Sequence, residues 1–541
     1  MFQKNVPKKV KRARMNALDT WSLAVSSINL AIPISFALVG LLAPRYAEKV
    51  CGLALAFALV VSTFLASGGV LRQGSTIGVR LDLVTCVMLL LVCGIGLVIG
   101  RYSRTYMDGD PRIASYFRWL LLTLSAVTSL VVANNLFVIA AAWTATSLSL
   151  HQLLVFYPER PAALVAAHKK FLASRLADVC FWSCLVLVQT SVGSLDLDRI
   201  GSWANAHPEL SLSMNVAAIL AVLTVALKSA QLPFHGWLTQ VMEAPTPVSA
   251  LLHAGIVNIG GFVMIRLAPW MAHAKAAQLL LIAIGLFTTI VAALVMTTRV
   301  SVKVALAWST CAQMGFMLVQ CGLGAWHLAL LHLVAHSLYK AHAFLSAGGV
   351  VEGWRVQEMR KPSPRPTSLR FGGATLVALT GAAASVLLLQ HFDAVPHGAN
   401  VQVWVLAILV ALSVVPMIVG RSAGALSTIM YAASALGVAL LYAAGHIAAA
   451  YALPDVESVS ASTSLGWAFV GAGVVMLFAL KASLMLHPQG ALARGLYPWL
   501  FAGFYLDERF TRLTFWIWPP RLQRSETSPV IPMIDTVEVG R

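Results

Sequence analysis

The chain has 541 residues, of which 59% are hydrophobic and only 11% charged, and its mean hydropathy is +0.79. Soluble globular domains carry about 25% charged residues, so this composition excludes a water-soluble enzyme or binding module and reads as a single polytopic protein of the lipid bilayer. In such a chain the formal net charge of +17 records loop topology rather than affinity for nucleic acid, and no nucleic-acid partner is expected.

Residues 1–20 form a basic leader with Lys4, Lys8, Lys9, Lys11, Arg12 and Arg14. Thr20 to Ala43 is long enough to span a bilayer, and no small-residue cleavage site follows the basic stretch, so no cleavable signal is expected. From there to residue 490, apolar runs of about 20 residues, the length of a transmembrane helix, recur near 21–43, 49–71, 79–100, 114–132, 134–156, 171–192, 212–232, 246–266, 277–298 and 303–323. Five more follow near 325–350, 371–391, 402–420, 424–447 and 464–486. The expectation is therefore an all-α polytopic membrane protein of about 14–15 spans. The longest polar connection runs from Glu352 to Arg370, and residues 491–541 form an amphipathic, basic tail.

Seven cysteines, at 51, 86, 93, 180, 184, 311 and 321, fall in or beside spans with no CxxC pair and no zinc-ligand spacing. Buried helical cysteine behaves as a small hydrophobe, so neither a disulfide nor a metal site is expected in this chain. Loops after odd-numbered spans carry most of the Lys and Arg, including Arg45, Lys49, Arg101, Arg104, Arg112, Arg160, Lys169, Lys170, Arg299 and Lys303. Loops after even-numbered spans carry only Arg72, Arg80, Arg199, Arg266 and Lys275. That asymmetry puts the odd loops and the C-terminus in the cytoplasm and the N-terminus outside. The basic leader argues the other way, which leaves three alternatives: it lies along a surface, a span is miscounted, or translation starts at Met15.

Lys228 is the most informative residue. It lies in an apolar run, where an ammonium at the bilayer centre costs about 2.5–3.5 kcal/mol even on the lenient insertion scale. Five residues later Pro233 removes a backbone donor and breaks the helix, and irregular backbone at that depth is tolerated only against protein or a wet cavity. A charge beside a helix break is the pattern of an ion path. Further along, His332, His336 and Lys340 recur every four residues and so stack on one helix face, with His342 off that face. Arg175 and Asp178, three apart, suit a local ion pair. Glu243 precedes Pro245 and Pro247, where a carboxylate caps the next helix or sits at a channel entrance, capping being the expected role.

The segment from Lys228 to Val257 fits KSAQLPxxxWLxxxMxxPTPVSALxHAxxV and resembles the signature of the antiporter-like membrane subunits of respiratory complex I, chain 5 type, which are related to the large subunits of multisubunit sodium/proton antiporters. Residues 302–349 resemble the same family, and weaker similarity covers 81–112 and 169–179. The resemblance implies two inverted five-helix repeats, each with a broken helix, and a midplane row of charged residues that passes protons. Matched residue by residue, it assigns Lys228 to the central lysine of the first half-channel, His253 to a polar link, Lys340 to the lysine between the halves, and His332 and His336 to histidines beside it. It places an ion pair like that of Arg175 and Asp178 in the same helix.

Three departures matter. The family carries a glutamate after a tryptophan in the fifth span, and here the pair is Trp143 and Thr144, a hydroxyl that cannot supply the charge. Asp178 is then a candidate counter-ion, and His151 on the same helix as Thr144 is an additional titratable group. The twelfth span lacks the proline and the charged residue of the second broken helix, Val386 taking the charged position, so the second half-channel reads as degenerate. The chain also carries only the start of a lateral helix, from Tyr505 to Leu522. Together these make the pattern most similar to the membrane subunits of the DAB inorganic carbon accumulation complexes. That resemblance implies a non-enzymatic transporter subunit in a bacterial inner membrane, paired with a large zinc protein resembling carbonic anhydrase, with zinc in the partner and no cofactor here. The alternatives are a proton-pumping subunit of a respiratory NADH dehydrogenase, a membrane hydrogenase or a multisubunit Na+/H+ antiporter, and a non-transporting membrane anchor whose channel has decayed, which the missing charges would fit.

Overall fold

Apolar runs in a bilayer must satisfy every backbone donor within their own segment, which leaves the helix as the economical solution. The computed structural model describes residues 29–67, 74–76, 78–350, 367–391 and 464–519, with isolated helical positions between 404 and 445. Among the described residues ten helices are long and apolar enough to cross a membrane, and two shorter apolar helices, Asn29–Leu42 and Leu212–Lys228, join them. The expected leader, most of the two spans at 402–420 and 424–447, residues 351–366 and the end of the tail lie outside the described residues.

In chain order the helices are α1 (Asn29–Leu42), α2 (Ala47–Ser67), α3 (Leu83–Tyr106), α4 (Ile113–Val132), α5 (Leu136–Leu154) and α6 (Pro161–Val192). There follow α7 (Leu197–Ala206), α8 (Leu212–Lys228), α9 (Gly236–Gln240), α10 (Thr246–Arg266), α11 (Lys275–Val295), α12 (Val302–Gly322) and α13 (Trp326–Leu345). The last are α14 (Ser368–His391), α15 (Ser464–Leu486), α16 (Ala491–Phe501) and α17 (Leu506–Ile517). Starts are fixed by side chains that accept orphan N–H groups: Asp82 from Thr85, Asn135 from Phe137, and Asp196 from Asp198 and Arg199. Gly193 ends α6 in the left-handed region that glycine enters freely. A two-stranded hairpin, Gly74–Thr76 with Val79–Leu81, interrupts the helical pattern at one membrane face.

Helix approach is set by small residues. At the α11–α12 crossing a Cβ on Gly285 would lie 2.5 Å from the Gly315 carbonyl, and one on Gly315 would lie 2.6 Å from the Gly285 carbonyl, so backbones meet where lipid gives no hydrophobic drive to bring larger side chains together.

The connections sort onto two faces by parity, as successive crossings require. On the even-loop face Arg80 pairs with Asp198 at 3.1 Å, Asn134 donates to Asp196, and His273 meets Asn205. On the odd-loop face Arg104 pairs with Glu48, Arg160 with Glu243, and Arg299 donates to the Leu500 carbonyl. The tail helices α16 and α17 belong to this second face. On the even-loop face Asp82 is gripped by Arg266 through both guanidinium nitrogens and by Arg80. Burial alone would raise its carboxyl pKa, but the charges of Arg266 and then Arg80, with the Thr85 N–H, hold it well below the usual carboxylate range.

Candidate functional site

α8 ends at Lys228, residues 229–235 are non-helical, and one turn of helix, α9, follows. Pro233 supplies no N–H there, and the Leu232 N–H turns instead to the Thr288 hydroxyl at 3.2 Å. Pro247 opens α10. Within α10 the turn Leu252–Ile256 is a π-turn, a local widening frequent at functional sites, and it carries His253.

The first cluster forms where α8 meets α5 and α6. The Lys228 ammonium lies 2.6 Å from one Asp178 oxygen, and Arg175 lies 2.8 Å from the other. Lys228 also sits over the Trp143 ring, 4.8 Å from its centroid, a cation–π contact strengthened by desolvation. One turn from Trp143, Ser147 receives Lys170 on its carbonyl at 2.6 Å and on its hydroxyl at 2.9 Å. Thr144 is in place beside this group, and its buried hydroxyl has no protein partner. Asp178 is thus the counter-ion of Lys228, the position that the fifth-span glutamate would have been expected to fill.

The second cluster lies between α10, α12 and α13. His253 bonds the Thr310 hydroxyl through Nδ1 at 3.1 Å and stacks on Phe344, with 4.3 Å between centroids. His332 bonds Gln320 at 2.9 Å and meets the His336 ring edge-on at 5.9 Å. Lys340 donates to the Leu306 carbonyl at 3.0 Å and is fully buried. The i, i+4 stacking read from the sequence therefore holds, while His342 is exposed. Among the described residues no hydrogen bond or ion pair joins Lys228 to His253. The break and the start of α10 hold Ser229 Oγ, Gln231 Oε1 and Ser249 Oγ, and Asn258 Oδ1 follows just beyond the π-turn, all buried and without a protein partner. A buried polar atom left unmade costs about 1–3 kcal/mol, so a row of them is a place for water rather than for packing.

A third group closes the odd-loop end. Lys169 donates to Asp507 of α17 at 2.7 Å and to Gln240 at 2.9 Å, and Gln240 donates to the same carboxylate at 2.8 Å. Phe234 and Phe510 pack edge to face beside them. Gly236 is required here, since an added Cβ would land on the Asp507 carboxylate.

The structure corrects two readings. Lys169 and Lys170 are not loop charges: α6 starts at Pro161, ten residues before the expected span, and buries both. An apolar-window reading stops at charged residues, and only their partners on α5, α9 and α17 make burial tolerable. Glu243 does not cap α10, whose N-terminus has no side-chain cap; it pairs with Arg160 at 3.5 Å. Neither Thr310, Gln320 nor Asp507 carried a spacing signal, because each acts through a contact distant in sequence. α14 runs uninterrupted from Ser368 to His391 with Val386 buried.

The family pattern of the NADH:quinone oxidoreductase/Mrp antiporter transmembrane subunits matches residues 133–363, and that of the complex I chain 5 N-terminus matches residues 73–117. A relative from Hydrogenovibrio crunogenus named probable inorganic carbon transporter subunit DabB is 39% identical over 92% of this chain and 95% of its own length. The chain belongs to the antiporter-like membrane subunit family. A second relative, DabB2 of Halothiobacillus neapolitanus, is 38% identical over 84% of each chain. NADH-ubiquinone oxidoreductase chain 5 of Metridium senile is 34% identical over 54% of this chain and 49% of its own length. Among solved structures, the Mrp complex of Dietzia sp. superposes with a TM-score of 0.53 at 22% identity, over 93% of this chain and 57% of that one, and the membrane-bound sulfane sulfur reductase, an archaeal respiratory membrane complex, with 0.55 at 16%, over 90% and 99%. These likenesses give the antiporter-like subunit its multi-span helical fold.

Proposed function

We propose that this antiporter-like subunit translocates protons within an energy-coupled inorganic carbon accumulation complex of a bacterial inner membrane. Ion flow through it drives CO2 hydration to bicarbonate in a large zinc-binding partner resembling carbonic anhydrase. The observation that carries the reading is full-length similarity: the chain covers 95% of the Hydrogenovibrio carbon transporter subunit but only 49% of the Metridium chain 5 protein. Zinc chemistry belongs to the partner, and this chain supplies the ion path.

In that path Lys228 takes up and releases the proton at Nζ. Arg175, which cannot deprotonate, keeps Asp178 compensated when Lys228 is neutral, so the cluster alternates between one net positive charge and none without ever burying a bare carboxylate. The unpartnered polar atoms of the break connect Lys228 to His253, and His253, His336, His332 and Lys340 extend the row. The test is to coexpress the chain with a large zinc-binding, carbonic-anhydrase-like candidate partner in a host lacking carbonic anhydrase. Growth in air that needs both chains, together with their copurification, is the expected result. Copurification with quinone-reducing subunits and no effect on carbon uptake would transfer the chain to a respiratory or Na+/H+ antiporter assembly.

A further inference from the structure

A polar strip runs from Lys228 to the odd-loop face between α5 and α6. Along α5 it presents Trp143, Thr144, Ser147 and His151, and along α6 Asp178, Arg175, Phe171, Lys170 and His168. Trp143 carries Lys228 at one end, and Lys170 holds Ser147 in the middle. At the outer end the His151 ring lies 5.3 Å from Phe171 and 6.2 Å from Trp518, the residue after α17. Trp518 in turn stacks flat on His168, with centroids 4.0 Å apart and 9° between planes, and packs edge-on against Phe171. Thr144 Oγ1, His151 Nδ1, His168 Nδ1 and Arg175 Nε along this strip are buried with no protein partner. A packing seam between two apolar helices has no use for four such atoms, whereas a hydrated route to the central lysine uses each of them.

We propose that His151 is the proton relay that feeds Lys228 from the odd-loop face, and that Trp518 of the C-terminal segment covers the entrance to it. His151 takes a proton at one ring nitrogen and releases the proton on the other toward Thr144 and Lys228, so its charge is restored after each passage. The side chain does on this face what the missing fifth-span carboxylate cannot, by passing a proton rather than by lending a charge. Trp518 is 38% exposed, so its indole shields His168 and His151 from bulk water while lying at the surface itself. The inference rests on proton translocation by this chain and adds the residue through which the proton enters.

The test uses the purified two-chain complex in vesicles, with an internal pH dye reporting proton entry. Wild-type flux and its loss in Lys228→Ala establish translocation independently of His151. His151→Ala is expected to lower flux by about tenfold or more, and imidazole added on the odd-loop side is expected to restore much of it. The restoration should be larger with Trp518→Ala, which opens the entrance. His151→Phe keeps the ring contacts to Phe171 and Trp518 and should stay as slow as His151→Ala. Wild-type flux in His151→Phe, or no imidazole effect in the His151→Ala, Trp518→Ala double variant, would overturn the relay while leaving Lys228 in place.

Discussion

Lys228 and Lys340 are both buried lysines of apolar segments, yet Lys228 faces a carboxylate at 2.6 Å while Lys340 donates to the Leu306 carbonyl at 3.0 Å and lies 5.6 Å from the Tyr339 ring centroid. Lys228 sits at a helix break, backed by Asp178 and Arg175. Lys340 sits in the unbroken helix α13, one turn beyond His336, with no acid among its described contacts. The difference teaches that one buried cation can be held by charge and another by a backbone dipole and a ring face, and that the two should fail differently when altered.

The largest effect is expected from Asp178→Asn. Removing one partner of a buried ion pair costs about 3–5 kcal/mol, and here it leaves Lys228 and Arg175 facing each other. Proton flux should fall by about 100-fold or more, with less assembled complex on a sizing column. Asp178→Asn combined with Lys228→Met should recover assembly but not flux, and if the single and double variants assemble equally well, the pair is not what holds α6 to α8.

Lys340→Met sharpens the contrast. A methionine replaces an ammonium that has no acid partner, so assembly should match wild type, because apolar replacement of buried charge is often neutral or stabilising, while flux drops by about tenfold. Poor assembly of Lys340→Met would show that the dipole-held lysine is as structural as the charge-held one. Thr144→Glu should act more weakly. It offers Lys228 a second acid and holds the proton more tightly, and a several-fold slower vesicle flux is the expected reading. Faster flux would mean that the site still works as a two-carboxylate switch.

The smallest effect on flux belongs to Asp82→Asn, which lies at the even-loop face with Arg266. It should lower the Tm at neutral pH while leaving flux per folded complex near wild type. Because the Asp82 carboxyl is held below its ordinary value, it contributes stability that is present above the unfolded carboxylate pKa and is lost as pH falls through the folded one. The Tm gap between wild type and Asp82→Asn should therefore be flat from neutral to mildly acidic pH and narrow only in strong acid. A gap that closes near neutrality would remove Asp82 from that role.

Most of the spans that fall within the described residues, the end of α8 at Lys228 and the His332–His336–Lys340 face were legible because hydropathy, proline and a four-residue repeat are local signals. Lys169 and Lys170 were misplaced for the opposite reason: their burial depends on Ser147, Gln240 and Asp507, and nothing local announces partners hundreds of positions away. Glu243 looked like a cap because it precedes a helix, but Arg160 reaches it across the loop. His151 could be noted from its place on the Thr144 helix, whereas its shield, Trp518, comes from a tail whose docking only the fold reveals.

The central claim is that proton passage through Lys228 powers carbon accumulation. It is tested most directly by measuring labelled bicarbonate accumulation in carbonic-anhydrase-deficient cells that express this chain and its zinc-binding partner, with wild type or Lys228→Ala, each with and without a protonophore. The account predicts accumulation by wild type that a protonophore abolishes, and none by Lys228→Ala although the two chains still copurify. Accumulation by Lys228→Ala at the wild-type level would contradict it.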